Sequence, residues 1–200
     1  MKIDKDKLFE AYRSKIGRIG KSETVKTVEA LLEKCNLLDA TLEQTAYILA
    51  TAYHEARDKD KVHGYKFHDF FPIEERGSND YFIKRYWNNT RVRKWLGNKT
   101  PQDAIDFSGK GLAQVTGRFH FERLGIQNKP WKLLDVKFSA FTIVNDMLKG
   151  KYTGVKLGRY INEEKTDYEN ARRVVNGTDK ASLISGYAKT FETILKESNA

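Results

Sequence analysis

Two acidic residues, Glu55 and Glu75, have the type and spacing that could do chemistry in this chain. Glu55 lies near the end of a run that begins at Thr41 and contains no glycine or proline, and Glu75 lies between Pro72 and Gly77. Singly, each is typical of a solvated surface acid, since glutamate is mostly exposed in proteins. One acid on a helix and another on the following loop can nevertheless flank a bond that is hydrolysed, one donating a proton and the other activating water.

The run from Thr41 predicts the helix that must position Glu55. Thr41 can cap the first turn while Gln44, three residues later, reaches back to it. Ile48, Ala52 and Glu55 follow at helical spacing, which places the carboxyl on a line of small and apolar side chains. An acid at the edge of an apolar face loses hydration, and this favours the protonated form that a proton donor needs.

Four short motifs follow one another along the chain. They are HE at residues 54–55, PIEERG at 72–77, GKGLAQVTGR at 109–118 and ARRVVNG at 171–177. In this order they resemble glycoside hydrolase family 19, and the closest likeness is to phage endolysins of that family. The resemblance implies an inverting hydrolase of β-1,4-linked amino sugars on a lysozyme-like helical fold with a substrate cleft.

The resemblance also implies roles for individual residues. Glu55 would be the general acid and Glu75 the general base, with the Thr116 hydroxyl holding the attacking water. Glu75 is preferred to Glu74 because it directly precedes Arg-Gly, as the second acid does in the family. The residues expected to bind substrate are His54, Gln114, Phe119, His120 and Asn176. Of these, Phe119 and His120 stand where many relatives have Tyr and Asn.

The activity implied is that of a muramidase, which cuts the bond between N-acetylmuramic acid and N-acetylglucosamine in peptidoglycan for host cell lysis. Two enzymatic alternatives stay open. A chitinase would cut the same linkage without peptide branches, and a lytic transglycosylase would leave a 1,6-anhydro end. We expect no cofactor and no metal: His54, His63 and His68 are close in sequence, but their spacing lacks the HExxH pair of a zinc site.

Length and composition describe one soluble domain. The 200 residues suffice for a single core, and 32% charged with 40% hydrophobic residues, mostly at helical spacing, predict a mainly α domain over residues 1–200 with at most a small β element. We expect a monomer without a separate wall-binding module. The net charge of +9 is typical of a protein with an anionic partner and equally of one that excess lysine keeps soluble, and charge alone does not choose the partner. The partner we expect is peptidoglycan, with electrostatic contact to the anionic outer membrane as a second expectation.

The start of the chain, MKIDKDKLFEAYR, lacks the apolar stretch of a secretory signal, and no later segment is long enough to span a membrane. We therefore expect the protein to stay in the host cytoplasm and to reach the periplasmic peptidoglycan through a separate holin. The lone Cys35 falls in an apolar helical pattern and is predicted to be buried.

A basic aromatic segment runs from Tyr81 to Thr100. It carries six lysines and arginines without an acid, interleaved with tyrosines and tryptophans. Such a pattern is typical of a single-stranded nucleic-acid groove and also of a polysaccharide surface, while an amphipathic helix with buried aromatics is the structural alternative. Because the chain also carries the two acids Glu55 and Glu75, glycan is favoured and no nucleic-acid partner is expected. A basic nucleic-acid-binding protein remains the non-enzymatic alternative.

The C-terminal half predicts three helices. Trp131 to Leu148 is expected to form one buried helix, with Phe141 among its inward residues. Asp167 is expected to cap a helix that reaches Val175 and ends at a left-handed Asn176-Gly177. A final helix is expected from residue 178 or 179 to Glu197, with Leu183 facing in.

Overall fold

The fold is mainly helical, as the sequence predicts. The computed structural model describes residues 2–17, 19, 22–56 and 70–199. Nine α-helices are found in these ranges: α1 Lys5–Lys15, α2 Ser22–Leu37, α3 Leu42–Glu55, α4 Asn79–Phe82, α5 Thr90–Leu96, α6 Pro101–Asp106, α7 Arg118–Arg123, α8 Val136–Lys149 and α9 Ala181–Glu197. A π-helix spans Ile83–Trp87, and 3-10 helices span Pro130–Leu134, Leu157–Arg159 and Asn170–Val174.

Two very small antiparallel sheets complete the described structure. Strand β1 (Ile73–Glu74) pairs with β2 (Lys110–Gly111), and β3 (Ile161–Asn162) pairs with β4 (Lys165–Thr166). The β1–β2 pair places Glu74 opposite Lys110, so that Glu75 leaves the sheet directly beside Gly109. In the described part of the chain, no helix is both long and apolar enough to cross a membrane.

Helix α3 lies at the centre of the core and ends at Glu55. Its predicted capping box is confirmed: the Thr41 hydroxyl accepts from the Gln44 amide, and the Gln44 side chain accepts from the Thr41 amide. The helix is buried from Thr45 to Tyr53 and packs along α9, while α2 packs on α8 and α1 on α9. Cys35 is fully buried on α2, as predicted. Glu55 is thus presented by a helix that is fixed at both its start and its sides.

The basic aromatic segment folds into a small lobe with its own apolar cluster. The lobe comprises α4, the π-helix, α5 and α6, and its buried centre consists of Phe82, Tyr86, Leu96 and Ala104. A buried ion pair joins it to the rest of the molecule, because the Arg118 guanidinium at the start of α7 binds Asp103 of α6 through Nε at 2.7 Å. Burial opposes ionisation of Asp103, but its hydrogen bonds from Arg118, the Lys99 amide and Thr100 lower its pKa to about 2.

Three expectations for the C-terminal half are wrong in detail. Instead of one helix from Trp131, a 3-10 helix and α8 meet at Asp135, whose carboxylate caps α8 by accepting from the Phe138 amide at 2.8 Å. Phe141 and Leu183, expected inside, are exposed on α8 and α9. Each of these two helices buries one face only, and periodicity assigned one position too many to that face.

The helix expected before Asn176 also differs from the prediction. The Asp167 carboxylate does accept from the Asn170 amide at 3.0 Å, but the helix that follows is a 3-10 helix, Asn170–Val174. Neither Asn176 nor Gly177 has a positive φ angle, so the left-handed stop is absent there. The left-handed residue of this region is Lys180, immediately before α9.

Candidate active site

An open cleft of about 940 Å³ lies between the main core and the small lobe. Glu55 and Glu75 both line it, and they are the only acids among its described lining residues. Glu55 comes from the end of α3 on the core side, whereas Glu75 follows β1 and is held by residues of the lobe. The structure therefore brings the two predicted acids to one cavity. Its volume is in the range of pockets that bind small-molecule ligands.

Glu55 is held by a buried arginine that the sequence analysis did not single out. The Arg172 guanidinium donates to Glu55 Oε1 at 2.7 Å, and its Nε donates to the Asp179 carbonyl at 2.9 Å. The Arg172 side chain is 3% exposed and that of Glu55 is 19% exposed. Glu55 Oε2 has no hydrogen-bond partner among the described residues. Glu55 thus experiences a cation as well as partial burial, not burial alone as expected, and one of its oxygens is available to a ligand.

Glu75 is fixed by three hydrogen-bond donors. The Tyr86 hydroxyl lies 2.9 Å and 2.8 Å from its two oxygens, the Tyr81 hydroxyl lies 3.2 Å from Oε1, and the Gly109 amide donates to Oε2 at 3.1 Å. Burial, together with the hydrogen bond to Glu75 and its charge, raises the pKa of Tyr86, so this phenol remains a donor. Three donors stabilise a carboxylate, which can only accept. Such a group is suited to take a proton from water.

Glu74, the sequence neighbour of Glu75, is placed on a different partner. Its carboxylate forms an ion pair with Lys110 Nζ at 2.7 Å. Lys110 is 3% exposed and also donates to the Asp106 carbonyl at 3.0 Å and to Ser108 Oγ at 3.1 Å. Successive residues of a strand point to opposite sides, so only one of the two adjacent acids can face the cleft. Among the described residues, Glu74 is not part of its lining.

Gln114 and Thr116 line the cleft beside Glu75. Gln114 has a positive φ of 50°, and its Nε2 donates to the carbonyls of Ile73 at 3.0 Å and Gly111 at 3.2 Å. Gln114 therefore braces the β1–β2 pair, which leaves its Oε1 as the atom able to meet a sugar. The Thr116 hydroxyl donates to the Gln114 carbonyl at 2.9 Å, so its lone pairs are free to accept a hydrogen bond from water.

His120 lines the inner part of the cleft with Tyr152. His120 Nδ1 and the Tyr152 hydroxyl are buried and have no hydrogen-bond partner among the described residues. Burial and the charge of Arg123 lower the pKa of His120, while Asp146 acts in the opposite direction. Burial raises the pKa of Tyr152. Both side chains are therefore neutral near pH 7 and offer polar atoms to a ligand or to water.

The remaining predicted substrate residues separate into two groups. Asn176 lines the cleft, although the helix before it differs from the prediction. His54 and Phe119 are not among the described lining residues: the His54 ring lies 6.4 Å from that of Tyr187, and Phe119 is 55% exposed beside Gly97.

The histidines at positions 63 and 68 lie outside the described residues. Within the described residues, no cluster of three or more potential metal ligands is present.

The sequence analysis missed three residues of the site: Arg172, which holds Glu55, and Tyr86 and Tyr152, which line the cleft. Arg172 lies within the fourth motif, but its pairing with Glu55 spans 117 positions. Tyr86 was noted only as one aromatic of the basic segment, and Tyr152 only as part of a glycine-containing loop. Sequence reasoning could have found Arg172 by asking which cation neutralises an acid at a helix end; for Tyr86 and Tyr152 the sequence carries no such signal.

Comparisons with family models, with curated proteins and with solved structures find no match to this chain. The likeness of the four motifs to glycoside hydrolase family 19 therefore stays a prediction.

Proposed function

We propose that this chain is a peptidoglycan-degrading glycosidase of the phage endolysin type, which hydrolyses the β-1,4 bond between N-acetylmuramic acid and N-acetylglucosamine. The observation that carries the proposal is that two carboxyl groups with different surroundings line one open cleft. Glu55 extends from a helix end with one oxygen unbound, and Glu75 is held by three donors. Two acids in unlike environments can divide the roles of acid and base.

In the proposed reaction, Glu55 donates its proton to the leaving glycosidic oxygen as the bond breaks. Its unbound Oε2 is the oxygen that can reach a ligand, while Arg172 keeps Oε1 in place. The guanidinium then stabilises the carboxylate that proton transfer leaves behind. The closed ion pair costs no rearrangement, because both residues are already in contact before substrate binds.

Glu75 takes a proton from water on the opposite face of the sugar ring. Thr116 accepts a hydrogen bond from that water, since its own proton is donated to the Gln114 carbonyl. Inversion needs the two carboxyl groups roughly 6.5 to 9.5 Å apart, with room for water between them. Tyr86, Tyr81 and the Gly109 amide keep the Glu75 carboxylate oriented toward this water.

The test is digestion of purified Gram-negative sacculi, followed by mass spectrometry of the muropeptides and identification of the new reducing sugar. We expect the native protein to release fragments that end in reducing N-acetylmuramic acid. NMR of the first-formed product should show that the configuration at the anomeric carbon is inverted. Glu55→Gln should abolish hydrolysis and Glu75→Gln should reduce it less completely, since water can be activated weakly without the base. Glu163→Gln, an exposed acid in the β3–β4 turn, is the matched control.

The same digest separates the alternatives. A 1,6-anhydro product would identify a lytic transglycosylase, and cleavage of chitin oligosaccharides in preference to sacculi would identify a chitinase. A native rate for the correctly folded Glu55→Gln protein would contradict the assignment of the acid. Binding of single-stranded DNA that survives loss of both acids, without any glycan cleavage, would favour the nucleic-acid alternative.

A further inference from the structure

The lobe side of the cleft carries positive charge and an exposed ring. Lys84, Arg85 and Trp95 all line the cleft and all belong to the small lobe. Among the described lining residues, no acid comes from the lobe, because Glu55 and Glu75 lie in α3 and after β1. This side of the cleft therefore presents a positive potential next to the two proposed reacting groups.

The two cations of this side have different surroundings. Arg85 donates to the Tyr81 hydroxyl at 2.7 Å and lies 5.7 Å and 5.4 Å from the ring centres of Tyr81 and Tyr86. It thus supports the tyrosines that hold Glu75. Lys84 has neither a hydrogen bond nor an ion pair with any described residue, and it is an exposed residue. Lys84 is therefore the cation available to a bound ligand.

Trp95 adds a flat apolar surface to the same side. It is 70% exposed, the largest exposed fraction of any large apolar side chain in the described residues. Because it lines the cleft, the exposed indole offers a flat apolar surface on which the apolar face of a ligand can pack. The carbon-hydrogen face of a sugar ring has this property. Trp95 and Lys84 together match a ring that carries an anionic substituent.

We propose that Lys84 and Trp95 form a subsite for a carboxylate-bearing sugar, with the ring packed on Trp95 and the carboxylate paired with Lys84. This inference rests on the proposed glycosidase function and adds that the enzyme distinguishes charged from uncharged glycan. Peptidoglycan carries carboxylates on its muramic acid substituents, whereas chitin carries none. A nucleic-acid strand fits less well, since a phosphate on every residue would also face the acids Glu55 and Glu75.

The experiment compares native sacculi with sacculi whose carboxylates have been converted to amides by carbodiimide and excess ammonia. For each protein we would measure kcat/KM on both substrates by release of reducing ends. Native protein should prefer the charged sacculi, and Lys84→Gln should lower this preference about fivefold, as expected for one partly exposed ion pair. Lys94→Gln is the matched control: it removes an exposed cation of α5 that is not among the described lining residues, and it should keep the native preference.

Trp95→Ala tests the ring separately. It should raise KM on both substrates and leave the preference between them unchanged, because an indole does not recognise charge.

An unchanged preference in Lys84→Gln, or an equal loss in Lys94→Gln, would overturn the inference. The inference would also fail if Lys84→Gln lost binding of single-stranded DNA but still hydrolysed sacculi at the native rate. If native protein releases no reducing sugar from either substrate, the proposed function itself fails.

Discussion

Arg172 donates a hydrogen bond to Glu55 at 2.7 Å, and this pair joins the end of α3 to the segment that leads into α9. We expect Arg172→Met to lower kcat about 100-fold with little change in KM, because Glu55 loses the contact that fixes its position. The free energy of unfolding should fall by about 3 kcal/mol, since a part-buried acid loses its partner. Kinetics on sacculi and urea unfolding measure the two effects.

Arg172→Lys provides the matched control for that variant. A lysine keeps the charge but cannot reach both Glu55 and the Asp179 carbonyl, so part of the activity and stability should return. A native kcat in folded Arg172→Met would show that the pair has no role in the reaction.

Tyr86→Phe removes the donor shared by both oxygens of Glu75. We expect kcat to fall about tenfold while KM stays within twofold, because the carboxylate becomes less well oriented. Its ring remains in the lobe cluster, so the melting temperature should change little. Tyr81→Phe is the comparison, since this hydroxyl contacts one oxygen only, at 3.2 Å, and should matter less. Equal and negligible effects in both variants would contradict this orientation role.

Gly109→Ala should disturb the site, because Gly109 lies close to the side chains of both Gln114 and Glu75. A methyl group on Gly109 would lie 2.8 Å from Gln114 Oε1 and 3.2 Å from Glu75 Oε2. Gln114 cannot move freely, because its amide nitrogen is bonded to two carbonyls of the β1–β2 pair. We expect at least a tenfold loss of kcat/KM with the helical circular dichroism spectrum retained. Gly158→Ala, where an added methyl meets no atom within 4 Å, should behave as native protein.

Asp103→Asn tests the ion pair between the lobe and α7. Because the pKa of Asp103 is lowered from 3.8 to about 2 in the folded state, its contribution to stability is present above about pH 4 and is lost as pH falls toward 2. The contribution is about 2 kcal/mol. Asp103→Asn should therefore be less stable than native protein at pH 7, with the difference shrinking toward pH 2. Urea unfolding from pH 7 to pH 2 measures this, and a constant difference would contradict it.

The helices of the core were largely predictable because their signals are local. The capping box at Thr41 and the apolar spacing of α3 depend on residues no more than a few positions apart, and both are confirmed. The break at Asp135 was missed although Asp is a common cap, because the apolar pattern continues across it. The left-handed stop at Asn176-Gly177 was wrong, since the segment before it is a short 3-10 helix that ends at Val174 and neither residue has a positive φ angle.

The candidate site was predictable in part. The sequence indicates Glu55 and Glu75, and the structure places both in one cleft with Gln114, Thr116, His120 and Asn176. The partners of the two acids could not be predicted, because Arg172 reaches Glu55 across 117 positions and Tyr86 reaches Glu75 from a separate lobe. Such pairings depend on how whole elements pack, which no local pattern encodes.

By itself, the sequence determined a mainly α chain with an acid at the end of its central helix and a second acid on the loop that follows. The family resemblance already favoured Glu75 over Glu74, but only the tertiary structure decided that Glu74 pairs with Lys110 outside the cleft lining and that Lys84 and Trp95 line the other side of the cleft. Helix formation depends on nearest neighbours, whereas the direction of a side chain at a short strand depends on its partner strand. Here that partner strand supplies Lys110, which binds Glu74 and leaves Glu75 to the cleft.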